Sequence, residues 1–367
     1  MRASSAGLNC LRVAAACAVF LLIAPLSQAR AQAYVFTDLG TLGGTQSIAY
    51  GINGLGQVVG HALRAGDVQR QATMWNAGTV TNLAASPNDF SLAYAINDAG
   101  MSVGQSLVGT GIGGFRATVW SGGTSTVLAA LPDTVNSDAW AVNNSGQVAG
   151  RSVIVNRWHA TVWNGGVPTD LGAASGSDSS YAYGINDSGQ VAGTASYGSY
   201  SRATVWNGGV PTVLGTLGGA NGGAWAINAS GQVAGYSDTV GGFSHATIWN
   251  GLVATDLGTL GGNSSQARAI NNLGQVVGLA QTATGAWHTT LWTGTDVVDL
   301  SNVASLEGWV LSDVYGINDS GWIVGYAGRS DALHAFLLTP VPEPETFALL
   351  LVGLGVLRFA VRRRRAA

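Results

Sequence analysis

The sequence predicts an all-β fold, a seven-bladed β-propeller closed by its own N-terminal strand. Three observations predict it: a phrase that returns seven times, the strands and turns inside each copy, and the way the array starts and stops. The phrase is a small or apolar residue, Ile or Val, Asn, a loose turn, Gly, two apolar residues and Gly. It first reads Tyr50-Gly51-Ile52-Asn53 and runs to Gly60, then returns around Asn97, Asn143, Asn186, Asn228, Asn271 and Asn318. These asparagines stand 44, 46, 43, 42, 43 and 47 residues apart, a period that marks one supersecondary unit stacked many times.

Each copy supplies strands in a fixed order. In the third copy the apolar stretches 139–142, 147–150 and 159–163 follow one another, and Asn143-Asn144-Ser145-Gly146 between the first two is hairpin-turn chemistry. The third stretch ends on Trp75, Trp120, Trp163, Trp206, Trp249 or Trp292, with Leu338 in the seventh copy. A fourth, short strand such as 168–171 follows the turn Asn164-Gly165-Gly166. Four strands in about 43 residues match one propeller blade.

The seventh copy stops after its third strand, whereas a lone fourth strand, residues 34–39, precedes the first copy. Placed in the last blade, that strand closes residues 34–339 into a ring and removes the edges a linear array must cap. A β-solenoid and a propeller of six or eight blades are the alternatives.

Composition agrees with many tight turns: the 367 residues include 54 glycines and no lysine. Eight of the 16 arginines lie near the two ends, so the central region carries eight arginines against 17 acidic side chains. A mildly acidic body argues against nucleic acid as a partner.

The two ends carry addresses. Arg2 and Arg12, the apolar stretch 13–25 and Ala29-Arg30-Ala31-Gln32-Ala33 have the layout of a secretory signal peptide over residues 1–31, cleaved after residue 31 or 33. A lipoprotein reading at Cys17 is weaker, because most of the apolar region would follow the cysteine. Both cysteines, Cys10 and Cys17, fall in this segment, so no disulfide is expected in the mature protein.

At the other end, residues 340–367 hold Val341, Pro342, Glu343 and Pro344, an apolar segment 347–361, and Arg362, Arg363, Arg364 and Arg365. As a helix that segment would be about 22 Å long against a hydrocarbon core of about 30 Å. It is a poor permanent anchor, and the arginines would stay cytoplasmic. This tail resembles the PEP-CTERM sorting signal. The resemblance implies transient insertion in the inner membrane of a Gram-negative bacterium, processing by an exosortase-like enzyme, and a host that makes extracellular polysaccharide. The repeats, with His334-Ala335-Phe336 and His-Ala-Thr at His159 and His245, resemble the HAF family of extracellular repeats. That resemblance implies an exported repeat protein and transfers no catalytic motif. Gln71, Arg116 and Arg202 depart from its His position.

Reactive constellations are sparse. The repeated turns place Asp98, Asp187 and Asp319 after the asparagine, but Gly54, Asn144, Ala229 and Asn272 in the other copies, which suits structural turns better than calcium loops. The glycine pattern at residues 109–114 leads into a strand and lacks the helix a dinucleotide site needs. His159, His245, His288 and His334 share one repeat position and would be spread around a ring; with His61 they are expected to bond neighbouring turns and not to converge on zinc. The only glutamate between residues 32 and 342 is Glu307, and no Gly-x-Ser-x-Gly elbow occurs. No cofactor or metal is expected.

What remains is a set of loops before the third strands, where Phe115, Trp158, Tyr197, Tyr200, Phe243 and Trp287 lie among small polar residues. Aromatic faces beside such residues suit sugar rings, although the same rings would also cover their own hairpins. Trp158, Tyr197, Tyr200, Phe243 and Trp287 are the candidate glycan-binding residues. The expectation is an exported, non-catalytic cell-surface or matrix protein that binds extracellular polysaccharide, with an extracellular carbohydrate-active propeller enzyme as the alternative.

Overall fold

The computed structural model describes residues 33–84, 90–108, 114–172, 174–302 and 304–341. Turn residues punctuate the chain every few positions and β-branched runs fill the gaps, so the described residues are all-β apart from one 3-10 turn, Leu300–Asn302. The expected signal segment 1–31, the glycine run 109–113 and the tail beyond residue 341 lie outside the described residues.

The third copy shows the unit. Strands Thr134–Val142, Val148–Ile154, Arg157–Asn164 and Val167–Asp170 pair antiparallel in that order. The first two run several residues longer than their apolar stretches, because Ser137, Asp138 and Arg151 are carried inside the ladder as paired polar residues. The second, fourth, fifth and sixth copies form four-stranded sheets of the same order.

The first and seventh copies share a nine-stranded sheet. Its four strands from Gly43–Ile52 to Thr79–Asn82 join the strands Val310–Ile317, Ile323–Arg329 and Ala332–Pro340 through one parallel bridge, Gln46 to Leu333. The N-terminal strand Tyr34–Asp38 lies antiparallel to Ala332–Pro340, from Tyr34 opposite Pro340 to Asp38 opposite Phe336. Its other edge takes a two-residue parallel strand, Ala304–Ser305, which the repeat pattern did not predict. That strand and the 3-10 turn occupy the longest spacing in the array, and Trp309 behind them packs on Phe36 and His334.

The core lies between units. Trp163 is buried with Ala139 and Val148 of its own copy and with Val103, Ala117, Val119 and Leu128 of the copy before. Large indoles thus meet alanines and valines on the facing sheet, the interdigitation that close packing requires. Burying one indole of roughly 200 Å2 contributes about 5 kcal/mol before entropy is counted. The same join links the seventh copy to the first, where Ala49, Val58 and Trp75 pack on Val324 and Ala335. Polar stitches accompany it: a third-strand alanine donates its N–H to a serine hydroxyl in the next copy at Ala72–Ser91, Ala117–Ser137, Ala160–Ser180, Ala246–Ser265 and Ala335–Ser47.

Candidate functional site

The seven repeated asparagines do more than turn the chain. Each is buried, and its Oδ1 accepts the backbone N–H four residues on, which shapes the hairpin. Its Nδ2 donates to the backbone carbonyl of the asparagine in the next copy, from Asn53 to Asn97 and onward to Asn318. Asn318 in turn donates to the carbonyl of Asn53 at 3.0 Å. A second tier lies outside it: Asp98, Asn144, Asp187, Asn272 and Asp319 accept the backbone N–H of the residue that follows the preceding copy's asparagine. The tier lapses where Gly54 and Ala229 offer no side-chain oxygen. These aspartates are therefore turn-to-turn acceptors, and among the described residues no three His, Cys, Asp or Glu gather as a metal site. The asparagine ring borders an open cavity of about 280 Å3 lined by these asparagines, the Ile or Val before each and the residue after each.

Three residues before each asparagine the ladder skips a position. Pairing passes from Ala49 to Gly51, from Ala139 to Ala141 and likewise in the other five copies, so one residue per copy is bulged out of register. A bulge re-aims a side chain. The seven bulged residues are Tyr50, Tyr94, Trp140, Tyr183, Trp225, Arg268 and Tyr315, all half-buried. They form a collar: Tyr94 stacks on Trp140 with centroids 4.4 Å apart, Tyr50 sits edge-on to Tyr94 and Tyr315 at 5.4 and 5.2 Å, and Trp140 meets Tyr183 at 5.8 Å. The Arg268 guanidinium lies 4.7 Å from the Trp225 ring and 5.8 Å from Tyr315.

The bulge explains the last glycine of the repeated phrase. A Cβ on Gly150 would stand 1.9 Å from the Asp138 carbonyl oxygen, and the equivalent glycines in the other copies meet the same obstacle at 1.8–2.0 Å.

Two ion pairs border the collar, Arg151 Nε to Asp138 at 2.8 Å and Arg268 Nη2 to Asp313 at 3.2 Å. Burial raises both carboxyls above their ordinary range, with the arginines pulling the other way. Arg151 also lies 3.9 Å from the Trp158 ring and 5.5 Å from Trp140, close enough for cation–π attraction. Burial pushes the Tyr50 and Tyr183 phenols up to about 12 and raises those of Tyr94 and Tyr315 as well. The collar phenols are thus neutral at physiological pH and able to donate. His61, 5.6 Å from Tyr50, is lowered to about 3 by burial and by Arg70. Trp140 Nε1 and Arg268 Nε are buried with no hydrogen-bond partner among the described residues.

The candidate loop aromatics do not gather in one place. Trp158 joins the outer wall of the collar through Arg151. Tyr197 and Tyr200 stack on each other across their own hairpin at 5.1 Å, and Phe115 meets Phe90 at 5.4 Å. Phe243 and Trp287, 47% and 43% exposed, stand in separate copies without a ring partner among the described residues. Val341 is held in place by donating its N–H to Ala33, whereas Pro342 to Pro344 and Arg362 to Arg365 lie outside the described residues.

The four third-strand histidines bond a strand and not a turn, as a correction to the sequence expectation. His159, His245 and His288 contact Asp170, Asp256 and Asp299 eleven residues on, at 2.7–2.9 Å, and His334 contacts Asp38 of the N-terminal strand. Where Gln71 replaces histidine, Asn82 replaces the aspartate.

A family model described as the PEP-CTERM protein-sorting motif matches residues 340–365. This motif is the recognition signal for exosortase processing and marks an exported protein sorted to the cell surface or beyond. No curated protein matches the chain's sequence. Among solved structures, TolB from Acinetobacter baumannii is 13% identical with a TM-score of 0.44, over 67% of this chain and 65% of that one. The chain therefore spans less than two thirds of TolB. YCF48 bound to D1 peptide is 12% identical with a TM-score of 0.43, over 85% of this chain and 96% of that one. A triple arginine-to-alanine mutant of AofleA from Arthrobotrys oligospora is 10% identical with a TM-score of 0.38, over 84% and 90%.

Proposed function

We propose that the protein is an exported, non-catalytic surface or matrix repeat protein, delivered by an N-terminal signal peptide, sorted by an exosortase-like enzyme, and binding extracellular glycan without a cofactor. The observation that carries this reading is the sorting motif over residues 340–365, which starts on the last residue of the final strand. The body is a closed seven-bladed propeller of the HAF repeat type. Supporting the closure, His334 finds in Asp38 the partner that other copies find eleven residues downstream, and Asn318 bonds back to Asn53.

A carbohydrate-active enzyme is the second reading, favoured by one observation: Asp138 and Asp313, both raised by burial, border the collar. Each is tied to an arginine, which suits a structural carboxylate better than a proton donor. A glycan array combined with a turnover assay on the exported protein tests the choice. Saturable binding without turnover supports the non-catalytic reading, and hydrolysis abolished by Asp138→Asn or Asp313→Asn overturns it.

A further inference from the structure

The collar concentrates positive charge in an acidic body. Of the eight arginines in the central region, Arg151 and Arg268 contact collar rings and Arg70 acts on Tyr50, Tyr94 and His61. Only Asp138 and Asp313 stand against them as close ion-pair partners among the described residues. A local excess of cations within a body of opposite sign attracts anions.

The hydrogen-bonding capacity points the same way. Arg151 spends only Nε on Asp138, and its two terminal nitrogens carry no hydrogen bond among the described residues. Unused donors in a half-buried setting favour a ligand rich in acceptor oxygens. Stacking occupies one face of Tyr94 and of Trp140, and Arg151 is held between Trp158 and Trp140. A guanidinium fixed in this way offers its fork to a planar carboxylate with little ordering left to do.

We propose that the collar is a binding site for acidic saccharide, with Arg151 as the anchor for a pyranose carboxylate and the phenol groups of Tyr50, Tyr94 and Tyr183 as donors to its hydroxyl and ring oxygens. This rests on the glycan-binding reading and moves the site from the exposed loops to the bulged residues. Of the loop candidates only Trp158 belongs to it.

The test is isothermal titration of the exported protein with trigalacturonate and with neutral maltotriose. Trigalacturonate is expected to bind at least tenfold more tightly, with affinity falling as salt rises. Arg151→Gln would leave Asp138 buried and unpaired, so the double variant Asp138→Asn with Arg151→Gln is measured beside it, each with a melting curve. Both are expected to lose tenfold or more in affinity, and Trp287→Ala to lose nothing. Equal binding of the two sugars, or a folded double variant with undiminished affinity, overturns the proposal. If binding survives the double variant and is lost in Trp287→Ala, the glycan-binding reading stands and the collar falls. If neither sugar binds, both fall.

Discussion

Asn318 in the seventh copy donates its side-chain N–H to the backbone carbonyl of Asn53 in the first, 3.0 Å away and 265 residues distant in sequence. Each of the other six asparagines does the same for its neighbour, so one residue type serves as both turn former and inter-sheet joint. Asn143→Ala removes bonds to Gln147 and to the Asn186 carbonyl, which keeps only the Gly189 N–H as donor. The expected loss is about 2–4 kcal/mol, read as a lower midpoint in urea unfolding. An unchanged midpoint would show that the turns hold without the joint.

Gly150→Ala tests the bulge. Its Cβ would lie 1.9 Å from the Asp138 carbonyl, a clash with backbone that no rotamer relieves. The variant is expected to lose about 3 kcal/mol or more. Gly165→Ala has nothing within 4 Å and only a positive φ of 57° to overcome, so its expected cost is about 1 kcal/mol. Thermal melts of the two variants compare steric with conformational cost directly.

Much of this architecture is written as columns in the sequence. The asparagine column, the third-strand tryptophans and the hairpin turns are legible because the same physical demand recurs at one period. The collar occupies an equally regular column, yet it escapes a strict two-residue alternation: Tyr, Trp and Arg share it, and a bulge shifts the register at that point. The glycine opposite was the available signal. The histidine partners were legible too, since Asp170, Asp256 and Asp299 follow at a constant spacing. Trp158 differs from Trp287 through Arg151 on the paired strand of its own hairpin, where the sixth copy has Leu279. Among the described residues the strand Ala304–Ser305 occurs in one copy only, so no period announced it.

His61 gives the fold an acid-sensitive element. Its folded-state pKa is lowered to about 3 by burial first and by Arg70 second, against about 6.5 in the unfolded chain. Below about pH 6.5 the unfolded state takes up the proton and the folded state does not. Stability therefore falls as pH drops from about 6.5 toward 3, at up to about 1.4 kcal/mol per pH unit. The carboxyls of Asp138 and Asp313, raised by burial, act in the opposite sense where they titrate. His61→Leu is expected to flatten the dependence between pH 6.5 and 5, measured as urea midpoints across that range. A variant with the same slope as the parent would exclude His61 as its source.

Removing residues 34–38 tests the N-terminal strand. The deletion exposes the edge of Ala332–Pro340, strips the partner of His334 and takes Tyr34 and Phe36 from the cluster that contains Trp309 and Phe336. Hydrogen exchange should accelerate first in Ala332–Pro340 and then across Ile323–Arg329, with the fourth copy least affected. Uniform protection identical to the parent would mean that the strand contributes nothing to the last sheet.

The sorting tail makes the final prediction. The motif begins at residue 340, while Pro340 is still paired with Tyr34 and Val341 still donates to Ala33. Only residues 342–346 separate the folded body from the apolar segment that starts at residue 347, a reach of at most about 22 Å from residue 341 to residue 347. The processing enzyme must therefore work beside the sheet. Replacing Pro342, Glu343 and Pro344 with alanine is expected to leave the full chain at the membrane, and inserting ten Gly-Ser residues after Val341 to preserve or speed processing by relieving the crowding. Mass spectrometry of the surface fraction decides it: an exported form that still carries Arg362 to Arg365 would rule out cleavage of the tail.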